Sequence, residues 1–192
     1  MDRTRNLFWK LIEPQHQQAR AYCRKLMGNR EDGDDLFQDA LVTAVTNFDS
    51  LRDTTAIRPW FYRIVVNTFK NRIRRPWWKR VIHMTAEIED SLDGFDPTDG
   101  YAARRNLQRA FEAVSTEDQA LVTLFELEGW TANELAALTG KTEGAIKVRL
   151  LRARRKMRET LARFQSRAAR IVTVKPALTE DKICVVMKPD AD

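Results

Sequence analysis

Lys141, Lys147, Arg149, Arg152, Arg154 and Arg155 crowd one stretch whose apolar residues, Ile146, Leu150, Ala153, Met157, Leu161 and Phe164, recur every three or four positions. That period marks a helix with one buried side. At about 100° per residue the outward side centres on Lys141, Ala145, Val148, Arg152 and Arg155, flanked by Lys147, Arg149 and Arg154. Cations on such a face suit phosphate, while small or polar residues near its start can approach base edges. A merely solvated basic face is the plain alternative. What favours DNA is the context: Leu135, Ala136 and Leu138 form a short preceding helix, Thr139-Gly140-Lys141 form the turn, and Thr142 stands where a cap belongs. Two helices across a short glycine-bearing turn constitute a helix-turn-helix.

A second basic surface lies earlier in the chain. Arg58, Arg63, Lys70, Arg72, Arg74, Arg75, Lys79 and Arg80 are interleaved with Trp60, Phe61, Tyr62, Phe69, Trp77 and Trp78, and no acid occurs between Asp53 and Glu87. Rings and cations together suit unpaired bases, because a base stacked on an aromatic gains about 1 to 3 kcal/mol. A core role for Trp60, Phe61 and Phe69 is the competing expectation. Asp32, Asp34, Asp35 and Asp39 could suggest a carboxylate-bound metal. Capping of a helix that starts near Asp34 accounts for three of them, and no histidine or acid stands at matching spacing, so neither a metal nor a cofactor is expected. With no phosphate loop, no Ser/His/Asp order and no nucleophilic cysteine signature, the sequence offers nothing for an enzyme to work with.

These surfaces must be held by helices. The first stripe is Phe8, Leu11, Ile12, Ala19, Tyr22, Cys23 and Leu26, with Pro14 expected to open, kink or interrupt it. A second helix from Asp34, capped by Asp34 and Asp35, carries Phe37, Ala40, Leu41, Ala44, Val45 and Phe48 inward. A third spans Pro59 to Arg75 with Phe61, Ile64, Val65 and Phe69. Leu107, Phe111 and Val114 close a fourth. Ser115 and Asp118 start a fifth with Leu121, Leu124 and Phe125, and Thr131 and Glu134 start the short helix before the turn. Between the two groups Glu87, Glu89, Asp90, Asp93, Asp96 and Asp99 fall without a lysine or arginine, broken by Gly94, Pro97 and Gly100, which reads as a solvated linker. The expected fold is therefore all-α: two small helical domains, 1–78 and 102–164, joined by a flexible acidic linker over 79–101, the second domain a helix-turn-helix. Few apolar residues in the linker could anchor the domains to one another. Residues 165–192 form an extension of unassigned role, in which Ile171, Val172 and Val174 and then Ile183 to Met187 fit two short strands.

A net charge of +6 attracts the chain to polyanions, and 43% hydrophobic residues suffice for packed cores. Cys23 and Cys184 lie far apart in no metal or disulfide spacing, which fits a reduced cytoplasmic setting. No apolar run reaches roughly eighteen residues, so neither a secretion signal nor a membrane span is expected.

Taken together, the sequence resembles the sigma factors of bacterial RNA polymerase, specifically the extracytoplasmic-function (ECF) group of the sigma-70 family, which keeps regions two and four alone. The resemblance rests on Asp34-Asp35-Leu36-Phe37-Gln38-Asp39-Ala40, on Arg58-Pro59-Trp60-Phe61-Tyr62-Arg63-Ile64-Val65-Val66-Asn67, and less specifically on the helix-turn-helix from Leu135 to Arg154. It implies a factor that binds core RNA polymerase, directs it to promoter DNA and assists opening. Asp35, Gln38, Asp39 and Val42 would contact the polymerase clamp. Arg63, Asn67, Lys70, Asn71, Arg74 and Arg75, with the loop from Asp49 to Ile57, would hold the opened minus-ten element. Thr142, Glu143, Gly144, Lys147, Val148, Arg149, Leu151, Arg152 and Arg155 would read the minus-thirty-five element. Val148 and Leu151 depart from the polar or aromatic residues that relatives often carry, so base preference does not transfer. Relatives are commonly restrained by an anti-sigma protein, and that partner is implied in the same way. A stand-alone helix-turn-helix regulator would need only the second domain, and a helical adaptor would need neither basic surface; the acid-free first domain argues against both.

Overall fold

The structure, a computed structural model, describes the backbone of residues 2–74 and 99–174, and side chains over 5–74 and 106–164. Among these residues it is all-α, with seven helices in two units.

In the first unit, α1 (Asp2–Met27), α2 (Arg30–Thr46) and α3 (Ile57–Arg74) pack around Phe8, Ile12, Tyr22, Leu36, Phe61, Val65 and Phe69, which are almost wholly buried. Each such side chain contributes about 1.5 to 3 kcal/mol by leaving water. Pro14 sits inside α1, yet the helix runs on at both sides of it. Helix α2 starts four residues earlier than the aspartates suggest. Asn29 is its cap, its side-chain oxygen accepting the Asp32 N–H at 2.8 Å. Asp34 instead accepts from both Arg20 and Arg24 of α1 at 2.7 to 2.8 Å. Gly33 permits this early start. A Cβ there would lie 2.4 Å from the Arg24 Cα, so α1 and α2 meet at a distance that no side chain fits. In the fold that glycine is a contact between the two helices.

In the second unit, α4 (Asp99–Glu112), α5 (Thr116–Leu127), α6 (Ala132–Thr139) and α7 (Glu143–Val174) bury Leu121, Leu124, Leu135, Leu138, Ile146 and Leu150. Ser115 accepts the Asp118 N–H at the start of α5, and Thr131 and Glu134 complete a reciprocal capping box on α6. Gly140 ends α6 at φ +71°, a left-handed conformation that glycine adopts without strain. Leu107, expected inside, is 48% exposed.

The units pack directly on each other, a contact that the linker composition does not foretell. Tyr62 of α3 lies 4.8 Å from the Trp130 ring, and the buried Tyr22 hydroxyl donates to the Ala120 carbonyl at 3.1 Å. The seam is thus made by residues of the helical units and the turn after Gly129. Residues 79–98 of the expected linker lie outside the described residues, and Asp99 already belongs to α4. The expected first strand of the extension is corrected. Ile171, Val172 and Val174 continue α7, because a helix already nucleated extends at little cost through β-branched residues. Ile183 to Met187 lie outside the described residues.

Candidate nucleic-acid and protein interfaces

Helix α7 presents the face that its periodicity predicts. The Thr142 hydroxyl accepts the Ala145 N–H at 3.3 Å, so the helix opens on a capped, exposed end beside Gly144, where an added Cβ would meet open space. Lys141, Ala145, Lys147, Val148, Leu151 and Arg152 are all exposed. Val148 and Leu151 offer apolar contact of the kind a thymine methyl takes in the major groove. The cations are not equivalent. Lys147 pairs with Glu143 at 2.6 Å and Arg155 with Glu159 at 2.9 Å, both one turn away on the surface and both easily given up. Arg149 is different: half-buried, it binds Glu117 at 3.0 Å and also Asp118, at the start of α5. Those bonds hold the Glu117 carboxyl below its ordinary pKa. Arg154, on the flank, pairs with Glu126 and lies over the Phe125 ring. Arg149 therefore fastens α7 to α5.

In the first unit an open groove of about 770 Å³ runs between α2 and α3. Asp35, Gln38, Asp39 and Val42 line it from α2, and Asn67 and Asn71 from α3. The structure thus brings four residues expected at polymerase beside two expected at the opened strand. Arg72 joins the two helices. Its guanidinium, 13% exposed, lies 3.4 Å from both Asp35 and Asp39 and 3.7 Å from Asp32. Nothing in its sequence position distinguishes Arg72 from its basic neighbours. Among the described residues no group of three or more histidine, cysteine, aspartate or glutamate side chains is placed to hold a metal; these aspartates face arginines instead.

The remaining strand-holding candidates divide. Asn67, Asn71 and Arg74 are exposed, and Arg75 lies outside the described residues. Arg63 spends two donors on the second unit, Nε to the Leu138 carbonyl at 2.6 Å and Nη2 to the Ala137 carbonyl at 2.8 Å. Lys70 approaches Glu117 at 3.9 Å. Phe61, Tyr62 and Phe69 are buried, so the base-stacking expectation does not hold for them, and Trp60 is half-buried with its ring against Phe48. Trp77 and Trp78 lie outside the described residues.

Sequence reasoning missed the seam. Arg58 lies 4.5 Å over the Trp130 ring and bonds Glu134 at 2.8 Å, and Lys25 bonds Glu128 at 2.7 Å. Burial raises the Tyr22 and Tyr62 phenols well above their ordinary pKa, and bonds to Thr131 and Arg58 lower the Glu134 carboxyl. The available hint was Trp130 itself, a large ring directly after the helix-ending Gly129, where a turn alone would not need one.

Comparison with known proteins agrees with this geometry. Residues 11–79 match Sigma-70 region 2, and residues 104–157 match Sigma-70, region 4. The chain is 32% identical to the ECF RNA polymerase sigma factor SigM of Mycobacterium tuberculosis, over 82% of this chain and 78% of that protein. It is 30% identical to the ECF RNA polymerase sigma-E factor of Escherichia coli K12, over 75% of this chain and 80% of that one. Among solved structures it shares its fold with the sigma factor RpoE of Bartonella quintana, crystallised with the anti-sigma factor NepR. That match has a TM-score of 0.52 at 22% identity, over 81% of this chain and 96% of that one.

Proposed function

This chain belongs to the ECF sigma factors of RNA polymerase, and from that premise we propose how its surfaces divide the work of directing polymerase to promoters. The α2 wall of the groove, Asp35, Gln38, Asp39 and Val42, docks on core polymerase. Val42 is 67% exposed, an apolar side chain that gains by being covered. Asn67, Asn71, Lys70, Arg63 and Arg74 hold the opened minus-ten strand, the asparagines by amide hydrogen bonds to base edges and the cations by phosphate contact. Arg72 positions both walls, so that strand capture and polymerase docking share one rigid frame. Helix α7 reads the minus-thirty-five duplex through Thr142 to Arg155, with Arg149 as a positioning residue.

The observation that carries this reading is that a region-two match and a region-four match occur in one chain, each presenting an exposed face on the helix that its region requires. A stand-alone regulator accounts for the second match only. The factor acts as a non-enzymatic subunit in the cytoplasm, where polymerase is, and among the described residues no helix is long and apolar enough to cross a membrane. An anti-sigma protein is a fitting restraint, since the relative from Bartonella quintana was crystallised with one. Run-off transcription tests the proposal. Transcripts should require the chain and core polymerase together, and a promoter footprint formed by the chain without polymerase, at equal strength and extent, would refute it.

A further inference from the structure

We infer that Val148 and Leu151 are specificity-determining residues of α7, reading the methyl groups of thymines on neighbouring base pairs of the minus-thirty-five duplex. The inference deepens the promoter-reading function above and rests on it.

Val148 is 47% and Leu151 61% exposed, two large apolar side chains on a face that is otherwise cationic. At about 100° per residue they stand about 60° apart, both turned away from the side buried at Ile146, Leu150 and Ala153. Gly144 and Ala145, one turn earlier, are exposed and carry little or no side chain, so the α7 backbone can come close to the floor of a groove. Lys147 and Arg152 flank the pair and are exposed as well. That arrangement puts cations toward the phosphates and the apolar pair between them, toward the base edges. It fits duplex DNA rather than an apolar protein surface.

The neighbouring arginine is withheld from the bases. An arginine reads guanine by donating two parallel hydrogen bonds to O6 and N7. Arg149, next to Val148, instead binds Glu117 at 3.0 Å and also Asp118, and its side chain is 24% exposed. Valine and leucine side chains can neither donate nor accept. Covering a guanine, cytosine or adenine edge with them strips water from polar groups that then stay unpaired, which is costly. Thymine differs, because its C5-methyl is the one methyl group displayed in the major groove.

Spacing sets the register. Three residues advance a helix by about 4.5 Å, close to the roughly 3.4 Å between successive base pairs. The two side chains therefore meet neighbouring pairs.

The experiment uses the full chain with core polymerase. A duplex library randomised across the minus-thirty-five segment is selected for binding, and each thymine of the enriched sequence is then replaced singly by deoxyuridine, which removes only the methyl group. Replacement at two neighbouring base pairs should weaken binding about fourfold each, the effect of one buried methyl. Val148→Ala should erase the penalty at one of these pairs and Leu151→Ala at the other, both with an unchanged salt slope. Arg152→Ala should lower the slope by about one and keep both penalties. Both apolar positions are exposed, and alanine is a good helix former, so circular dichroism of the two variants should match the wild type. An enriched sequence without thymines at neighbouring pairs overturns the inference. So does a wild type indifferent to deoxyuridine, or a pair of penalties that survives both alanine substitutions. If the library fails to enrich at all, the promoter-reading function itself fails, which tells the two levels apart.

Discussion

Helices α3 and α7 each line up arginine and lysine along one side, yet the second unit engages part of α3's cationic side and leaves the outward face of α7 to solvent. Within α7 the contrast repeats on a smaller scale. Arg155 is 81% exposed at the side chain and pairs along its own helix, whereas Arg149 is 24% exposed and ties α7 to α5. Charge patterning marks where cations are. It does not say which are spent on the protein and which remain for DNA, because that depends on what packs against each face.

The largest expected effect separates the units by their glycines. Gly33→Ala must push α1 and α2 apart and should cost about 3 kcal/mol, as overpacking of backbone against backbone does. Gly140→Ala meets open space and should cost about 1 to 2 kcal/mol for its left-handed backbone. Urea denaturation of both variants checks the ranking, and a Gly33→Ala protein as stable as wild type would contradict the close approach.

The next contrast is functional. Asn67→Ala should leave recruitment to duplex promoter intact and weaken strand capture by about 1 to 3 kcal/mol, seen as lost permanganate reactivity in the start-site bubble. Arg152→Ala or Arg155→Ala should instead weaken duplex binding and lower its salt slope by about one per contact. Equal bubbles for Asn67→Ala and wild type, or an unchanged salt slope for the arginine variants, would remove this division of roles.

A smaller effect distinguishes Arg149 from those two. Arg149→Ala leaves Glu117 and Asp118 without their partner and should lower stability by about 1 kcal/mol, discounted for partial exposure, with duplex affinity falling at an unchanged salt slope. A slope reduced as in Arg155→Ala would make Arg149 a phosphate contact after all.

The smallest effect is read in acid. Arg24 and Arg20 hold the Asp34 carboxyl well below its ordinary 3.8. A depressed folded pKa contributes stability that is complete above the ordinary value and is lost as pH falls through it toward the folded one. Asp34→Asn should therefore lower the urea midpoint at neutral pH and flatten its decline toward about pH 3. A decline as steep as in the wild type would locate the acid sensitivity elsewhere.

Much of this was legible along the chain because it depends on neighbours in sequence. The Thr131 and Glu134 capping box, the Gly140 turn and the buried stripe from Ile146 to Met157 are all set within one or two helical turns, where spacing and rotamer geometry decide the outcome. The α2 start was misread for the opposite reason. Asp34 has the chemistry of a cap, but arginines on another helix claim it, and Gly33 serves a contact with a residue nine positions away. The rings from Phe61 to Phe69 suited stacking in sequence and went to the core, since burial of an aromatic depends on what surrounds it.

Helical content, two units, the helix-turn-helix and the family follow from local patterns and motif residues alone. The pairing of Arg72 with three aspartates, the loss of Arg149 from the free cations and the seam at Tyr22, Tyr62 and Trp130 come only from the packed molecule. The physical reason is range. A helix period is a property of steps of three and four residues, whereas the hydrogen bond from Tyr22 to Ala120 joins residues whose separation in the chain leaves no periodic trace.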